Sequence, residues 1–306
     1  MALALLQQQD AQGIGEFEQA FAIARHLESY DGAMIENNYG VCLLALGDLA
    51  GAMRVQTQAR RRSERLGLPY AARLVDGALG CLLYHSGDWE QAGAIAARVI
   101  GQGDGTQHGE AVEAHTIRGR MALARGDREL AAEDARRALS LAREIGEPQY
   151  LVPALGFQAH LHVLEGRPDA AAELVSELVR DWWIGLALSA ESLACAAFAA
   201  SQAPAARDEF IAAASRYALP SGWVEAAAVV AAGDFGLAAD RYRAIGSLPD
   251  EAAMRLHALK RGIEAGDMRP TLAWWHTVGA AGYAREAAEV IGVGLRGPVS
   301  GPPPPG

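Results

Sequence analysis

Three cysteines in 306 residues are too few and too scattered for a disulfide framework or a metal ribbon. Cys42, Cys81 and Cys195 stand far apart inside apolar runs, and no CxxC occurs. This usage fits a reducing cytoplasm, and each thiol reads as a small buried apolar group. Basic charge is also scarce. Lys and Arg number 27 against 37 Asp and Glu, a formal charge of −10. An acidic chain without a basic stripe is a poor partner for nucleic acid, because phosphate contacts need clustered cations. No run is expected to reach the roughly 18 apolar residues of a membrane span. The opening "MALALLQQQD" lacks the cationic lead of a signal peptide. No G-x-x-x-x-G-K-[ST] occurs, hence no Walker lysine to hold phosphates, and no HExxH. No acid, base, nucleophile, metal ligand or cofactor site is nominated, and a noncatalytic role is expected.

What is present is alanine and a recurring corner. Hydrophobic residues make up 51% of the chain while aromatics are only 7%. Such alanine-rich, β-branch-poor sequence favours helix. Glycines at 47, 87, 126 and 166 recur every 39 or 40 residues, and 233 and 266 continue the series, with Ser201 in the gap. Most are followed by aspartate, as in "LLALGDLAGA". Glycine closes one helix in a left-handed conformation, and aspartate caps the next by accepting N–H bonds at its positive end. Asp88 with Gln91 has the spacing of a capping box.

The units carry small residues in fixed register. Gly40, Gly80, Gly119 and Ala159 stand seven before the corner, and Ala52, Ala92, Ala131 and Ala171 five after it. Antiparallel helices approach closely only where side chains are small. Gly119→Leu is therefore expected to destabilise far more than Gly103→Leu, which lies in the glycine-rich "GQGDGTQHGE" between helices. That segment, 101–110, reads as a surface loop.

The expected helix over "LAGAMRVQTQARRRSERLG" puts Leu49, Ala52, Met53, Ala59 and Leu66 inward and Arg60, Arg61, Arg62 and Arg65 outward. "ELAAEDARRALSLAREIGEP" repeats the design, with Arg136, Arg137 and Arg143 outward. In the adjacent pairs Trp182–Trp183 and Trp274–Trp275, both rings cannot enter one core, so one of each pair is expected at a partly exposed position. His160 and His162 stand two apart and point different ways on a helix.

The spacing Gly40, Gly47, Ala52, Ala59, repeated at Gly119, Gly126, Ala131, Ala138, resembles the tetratricopeptide repeat. Units near 40 residues exceed that family's usual length, and its aromatic and late proline positions are mostly absent. The longer unit, with "GIGEFEQAFAIARHLESYDGAMIENNYGVCLLALGDL" and "AAGDFGLAADRYRAIGSLPDEAAMRLHAL", resembles the helical array of multidomain bacterial regulators. These are ATPases of the class III adenylate cyclase-like kind or large transcription regulators of the LuxR type. No cyclase-like pair of metal-binding aspartates and no helix-turn-helix accompanies the array.

The resemblance implies an all-α fold, a right-handed superhelical solenoid of about six or seven antiparallel helix pairs. Residues 1–31 would form an incomplete leading repeat with a single helix, 32–293 the array, and 294–306, ending "GPPPPG", an extended tail. In this geometry the first helix of each pair lines a concave groove for a protein or peptide ligand. The candidate groove contacts are Asn37, Tyr84, Arg120, His160 and Glu191. Upstream ATPase or cyclase domains are further expected partners. The implied function is a noncatalytic interaction scaffold in bacterial signalling, or alternatively the C-terminal piece of such a cyclase or regulator.

Overall fold

Alanine and leucine at helical spacing, punctuated by glycine and proline, leave little choice but helix. The computed structural model, which describes residues 2–24, 26–101 and 109–292, is all-helical, with no strand among the described residues. The expected loop at 101–110 (from 102 to 108) and the tail from 293 onward lie outside the described residues.

The first ten helices are α1 (Ala2–Gln7), α2 (Gln12–Ala24), α3 (Tyr30–Leu46), α4 (Leu49–Arg65), α5 (Pro69–Ser86), α6 (Trp89–Gly101), α7 (Gly109–Arg125), α8 (Arg128–Ile145), α9 (Pro148–Leu164) and α10 (Pro168–Glu177). A π turn at Leu178–Trp182 and short 3-10 turns lead through α11 (Leu186–Ser189) to α12 (Leu193–Ala200). The chain continues with α13 (Pro204–Ser215), α14 (Gly222–Ala232), α15 (Phe235–Ile245), α16 (Leu248–Lys260), α17 (Arg269–Val278) and α18 (Ala281–Ile291).

The corners are built from one set of parts. Gly47, Gly87, Gly126 and Gly233 have φ of 97°, 89°, 94° and 87°. Each following aspartate N–H donates back to a carbonyl of the preceding helix, as Asp48 does to Leu43 at 2.9 Å and Asp127 to Ala122 at 2.9 Å. The aspartate carboxylates then accept from the next helix: Asp48 from the N–H of Gly51, Asp127 from Leu130 and Asp234 from Leu237. At Asp88 the cap is made with the N–H of Gln91. The Gln91 side chain, however, donates to the Asp88 carboxylate rather than to backbone, so half of the expected box is replaced. At Ser201 the chain turns without a left-handed residue, and Pro204 starts α13.

Two local expectations are corrected. The corner expected at Gly266 falls at Gly262, where the Ile263 N–H closes on Ala258. Arg255 holds the intervening segment by donating to the Ala265 carbonyl at 2.6 Å. Residues 1–31 hold two helices rather than one, because Gly13 lets α1 lie against α2 through Ala2 and Leu6.

Most successive helices lie side by side, and α3, α5, α7 and α9 also touch one another to form an inner row that continues through α12 and α14. The register residues Ala52, Ala92, Ala131, Ala159 and Ala171 are fully buried. A Cβ on Gly40 would meet the Gln56 side chain, and one on Gly119 would meet Phe157 at 2.6 Å.

The row then curls back on itself. Helix α14 reaches α3, α16 lies against α5, and α18 against α7. Each of the first three corners receives a later element. Trp223 Nε1 donates to the Leu44 carbonyl at 2.7 Å beside Gly47, Leu248 and Trp274 sit over Gly87, and Gly282 meets the backbone of Gly126. Only glycine fits at 282, since a Cβ would lie 2.6 Å from the Gly126 nitrogen. Trp275 is buried and Trp274 half-buried on Trp89, so the pair divides between core and edge. Trp182 and Trp183 are both half-buried, because the π turn shifts their register.

Arginine 62 is also corrected. It is 4% exposed and not on the outer face. Its guanidinium pairs with Glu36 at 3.0 Å and donates to the carbonyls of Ala24 and Leu27, capping the end of α2. The run Pro168–Ala200 is long and apolar enough to cross a membrane, which was not expected. Alanine raises its mean hydropathy, and its most apolar window is 83% buried within the fold.

Candidate functional site

Asn37, Tyr84, Arg120 and His160 lie on the inner row, and Glu191 on the 3-10 turn just before α12, but the chain fills much of the space in front of them. Arg120 of α7 reaches across to α16 and contacts Asp250 at 2.6 Å. Asp250 Oδ2 also accepts from Ser247 Oγ at 2.7 Å, and His85 Nδ1 lies 3.0 Å from that hydroxyl. The Tyr84 ring lies 4.7 Å from the Arg120 guanidinium. Burial alone would raise the Asp250 carboxyl, but Arg120, His85 and Ser247 bring it down to about 2. Burial lowers His85, against the opposing pull of the Asp250 carboxylate 3.2 Å away.

His160 is walled in by Phe198 and His257, at ring distances of 4.9 and 6.2 Å. Burial, then Arg120 and Lys260, takes it to about 3. His257, stacked on Phe198 at 3.9 Å, is likewise pushed well down by burial. Tyr84, Arg120 and His160 line one cavity of about 30 Å³. Tyr84, Arg120 and Glu191 line another of about 30 Å³. Each has room for a water or two and no more.

Asn37 is placed differently. It lines a cavity of about 250 Å³ between α3, α5, α7 and α9, close to the size of a small-ligand pocket. Glu110 and Glu113 of α7, Glu147 at the start of α9, Tyr70, Leu74 and Tyr150 are also in its wall. Asn37 is 6% exposed and its Oδ1 has no hydrogen-bond partner, while its Nδ2 donates to Asn38. Glu110 is 4% exposed; Arg73 lies 3.3 Å from its Oε1, but no hydrogen bond forms there. Glu113 joins this cavity to the smaller one containing Glu191, whose Oε2 is also buried and unpartnered.

Burial, then Glu191 and Glu110, holds the Glu113 carboxyl up at about 8, and burial puts Glu191 at about 8. Sequence reading missed the glutamates of α7. Glu110 and Glu113 stand three apart in "GEAVEAH", on one face of an inner-row helix, a signal that was there to be read.

These shifts set a pH profile for stability. Raised carboxyls stabilise the fold below the unfolded value near 4.3, and that contribution is lost as pH rises through about 8. The lowered histidines act in the opposite sense. Their contribution is present above an unfolded value of about 6.5 and is lost as pH falls. Between about 4.3 and 6.5 the two sets oppose each other, and above 6.5 only the glutamates titrate. Thermal melts should therefore show a plateau near pH 5–6.5 and a decline towards pH 8 (roughly one to two protons' worth of linkage). The pair Glu113→Gln and Glu191→Gln should flatten that decline; an unchanged alkaline slope would contradict the assignment.

No group of three or more His, Cys, Asp or Glu that could hold a metal ion occurs among the described residues. Cys42 and Cys195 are buried and Cys81 half-buried, all as free thiols, and burial raises Cys42 to about 12. The class of protein so defined is an all-helical chain whose inner helices leave a polar cavity beside Asn37. No protein-family model matches the sequence, and no curated protein is found to match it.

Proposed function

We propose that this chain is a noncatalytic binding scaffold, a tetratricopeptide-like solenoid of antiparallel helix pairs that takes a segment of a partner protein or peptide. The setting we assign is regulatory or sensory, in a bacterial signalling system, as the sequence resemblance implies. The repeated glycine–aspartate corner and the close helix crossings support the repeat architecture.

One observation carries the binding role. The inner row is covered by α16 and α18 over Tyr84, Arg120 and His160, yet beside Asn37 it keeps a cavity whose wall residues Asn37 and Glu110 carry buried, unpartnered oxygens. A buried acceptor without a partner costs roughly 1–3 kcal/mol, so a ligand that supplies donors recovers that cost. The partner therefore engages through a short segment at this end instead of running along the whole groove.

A random peptide library selected on the purified chain should enrich a motif whose binding is lost in Leu74→Trp, which fills the cavity. Circular dichroism checks that this variant stays folded. Failure to enrich any motif, or peptides indifferent to the tryptophan, would count against the reading, and ATP turnover by the purified chain would overturn its noncatalytic part.

A further inference from the structure

The cavity beside Asn37 has a chemical bias. Its lining includes Glu110, Glu113 and Glu147 and no arginine, lysine or histidine. Arg73 comes nearest, touching Glu110 from the side while its guanidinium lies over the Tyr70 ring at 5.6 Å. A second, independent feature is Asn37 itself. Asn37 is in the cavity wall, it is more than nine-tenths buried, its Nδ2 is turned to Asn38, and nothing donates to its Oδ1. The available oxygens are acceptors, and they come from three helices, α3, α7 and α9. Met34, Val41, Leu74 and Leu188 supply apolar wall, and Tyr70 and Tyr150 supply rings.

We propose that this cavity is a receptor for an alkylammonium group, an inference that rests on the reading of the chain as a binding scaffold. An anion would meet carboxylates with no cation in the wall. A neutral apolar group would leave buried oxygens unpaired. A guanidinium wants the parallel oxygens of one fork, whereas a compact ammonium with three rotatable donors suits single oxygens arriving from separate helices. The methylene stem lies along the apolar wall, and tyrosine faces attract the charge.

The titration of Glu113 agrees with this. Glu110 on its own helix, Glu191 from before α12, Cys81 of α5, and Glu147 and Tyr150 of α9 surround it, with Arg120 the nearby cation. An arriving ammonium replaces the proton on this carboxyl. Affinity should then rise with pH up to about 8, while an alkylamine stays charged to about 10.

The shared chemistry has two sources, the lysine side chain of a partner peptide and a free linear amine. Titration calorimetry on the full chain would use Nα-acetyl-lysine amide, 1,5-diaminopentane and, as the uncharged control, Nα-acetyl-norleucine amide. We expect binding of an ammonium probe, none of the control, and affinity lower by about tenfold or more in Glu113→Gln and Asn37→Leu. Glu129→Gln, on the exposed face of α8, should bind as wild type. Glu113→Gln is nearly isosteric with the protonated acid and should keep the fold, which a thermal melt verifies.

Binding of the lysine probe alone assigns the site to a peptide side chain, and binding of the diamine alone assigns it to a free amine. Binding of both leaves the ammonium site established for either source. Silence of both ammonium probes, or equal affinity in Glu113→Gln, overturns the inference. Library peptides that bind without any lysine would overturn the inference alone and leave the scaffold reading in place.

Discussion

Asp250→Ala is expected to destabilise the protein by about 3–5 kcal/mol, the usual cost of removing one partner of a buried ion pair. Asp250 is 1% exposed and comes from α16, while Arg120 comes from α7, 130 residues earlier. The carboxylate receives the Arg120 guanidinium and the Ser247 hydroxyl, with His85 alongside. With alanine in its place, Arg120 keeps its charge in a cavity of about 30 Å³ with no compensating anion. Melting should fall by roughly 6–15 °C.

The double variant Arg120→Met, Asp250→Leu should regain most of the loss, because removing both charges also removes their desolvation cost. If Asp250→Ala melts within a degree or two of wild type, α16 is not held against α7 in this way. If the double variant melts lower than the single one, the deficit arises from packing and not from an orphaned charge.

Gly119→Leu comes second in size. A Cβ at 119 would sit 2.6 Å from Phe157 Cε1 and 3.0 Å from Asp134 Cβ, at the point where α7 crosses α8 and α9. Phe157 is buried, and Asp134 is held by Arg118 and His115, so neither can withdraw without breaking other contacts. Overpacking of this kind costs about 1–3 kcal/mol or more, and leucine adds three more carbons to the clash. Gly15→Leu, within α2 and with nothing within 4 Å of its Cβ position, is the structural control. Gly103→Leu is the control chosen from sequence. Equal melting of Gly119→Leu and these controls would mean that the small residues do not mark helix crossings.

The legible parts were those in which neighbours in sequence are also neighbours in space. A glycine followed by aspartate carries its own instructions, because the left-handed turn and the cap both act within a few residues. The alanines five after each corner were readable for the same reason, and all four are fully buried. Where instructions were ambiguous, reading failed. Gly262 and Gly266 both have positive φ, and only the bonds around Gly262 show which of them ends α16. Arg62 read as one of four outward arginines, because its partners, Glu36 and the end of α2, lie far back along the chain.

The candidate contacts divide in the same way. Asn37, Tyr84, Arg120 and His160 stand on inner-row helices, and Glu191 on a 3-10 turn before α12. What stands in front of each did not follow from the repeat register. Arg120 faces Asp250, and His160 faces His257, across separations that no periodicity encodes. Asn37 borders open space where α3, α5, α7 and α9 meet, a place the returning helices α16 and α18 do not line.

By itself the sequence determined that the chain is helical, where most helices stop, and which small residues let them cross, since each of these is settled by short-range sterics and hydrogen bonding. Only the tertiary structure decided that the later helices return to the first corners and that a cavity beside Asn37 stays open. Those outcomes depend on curvature summed over many helix pairs, and a few degrees at each crossing fix whether distant surfaces meet.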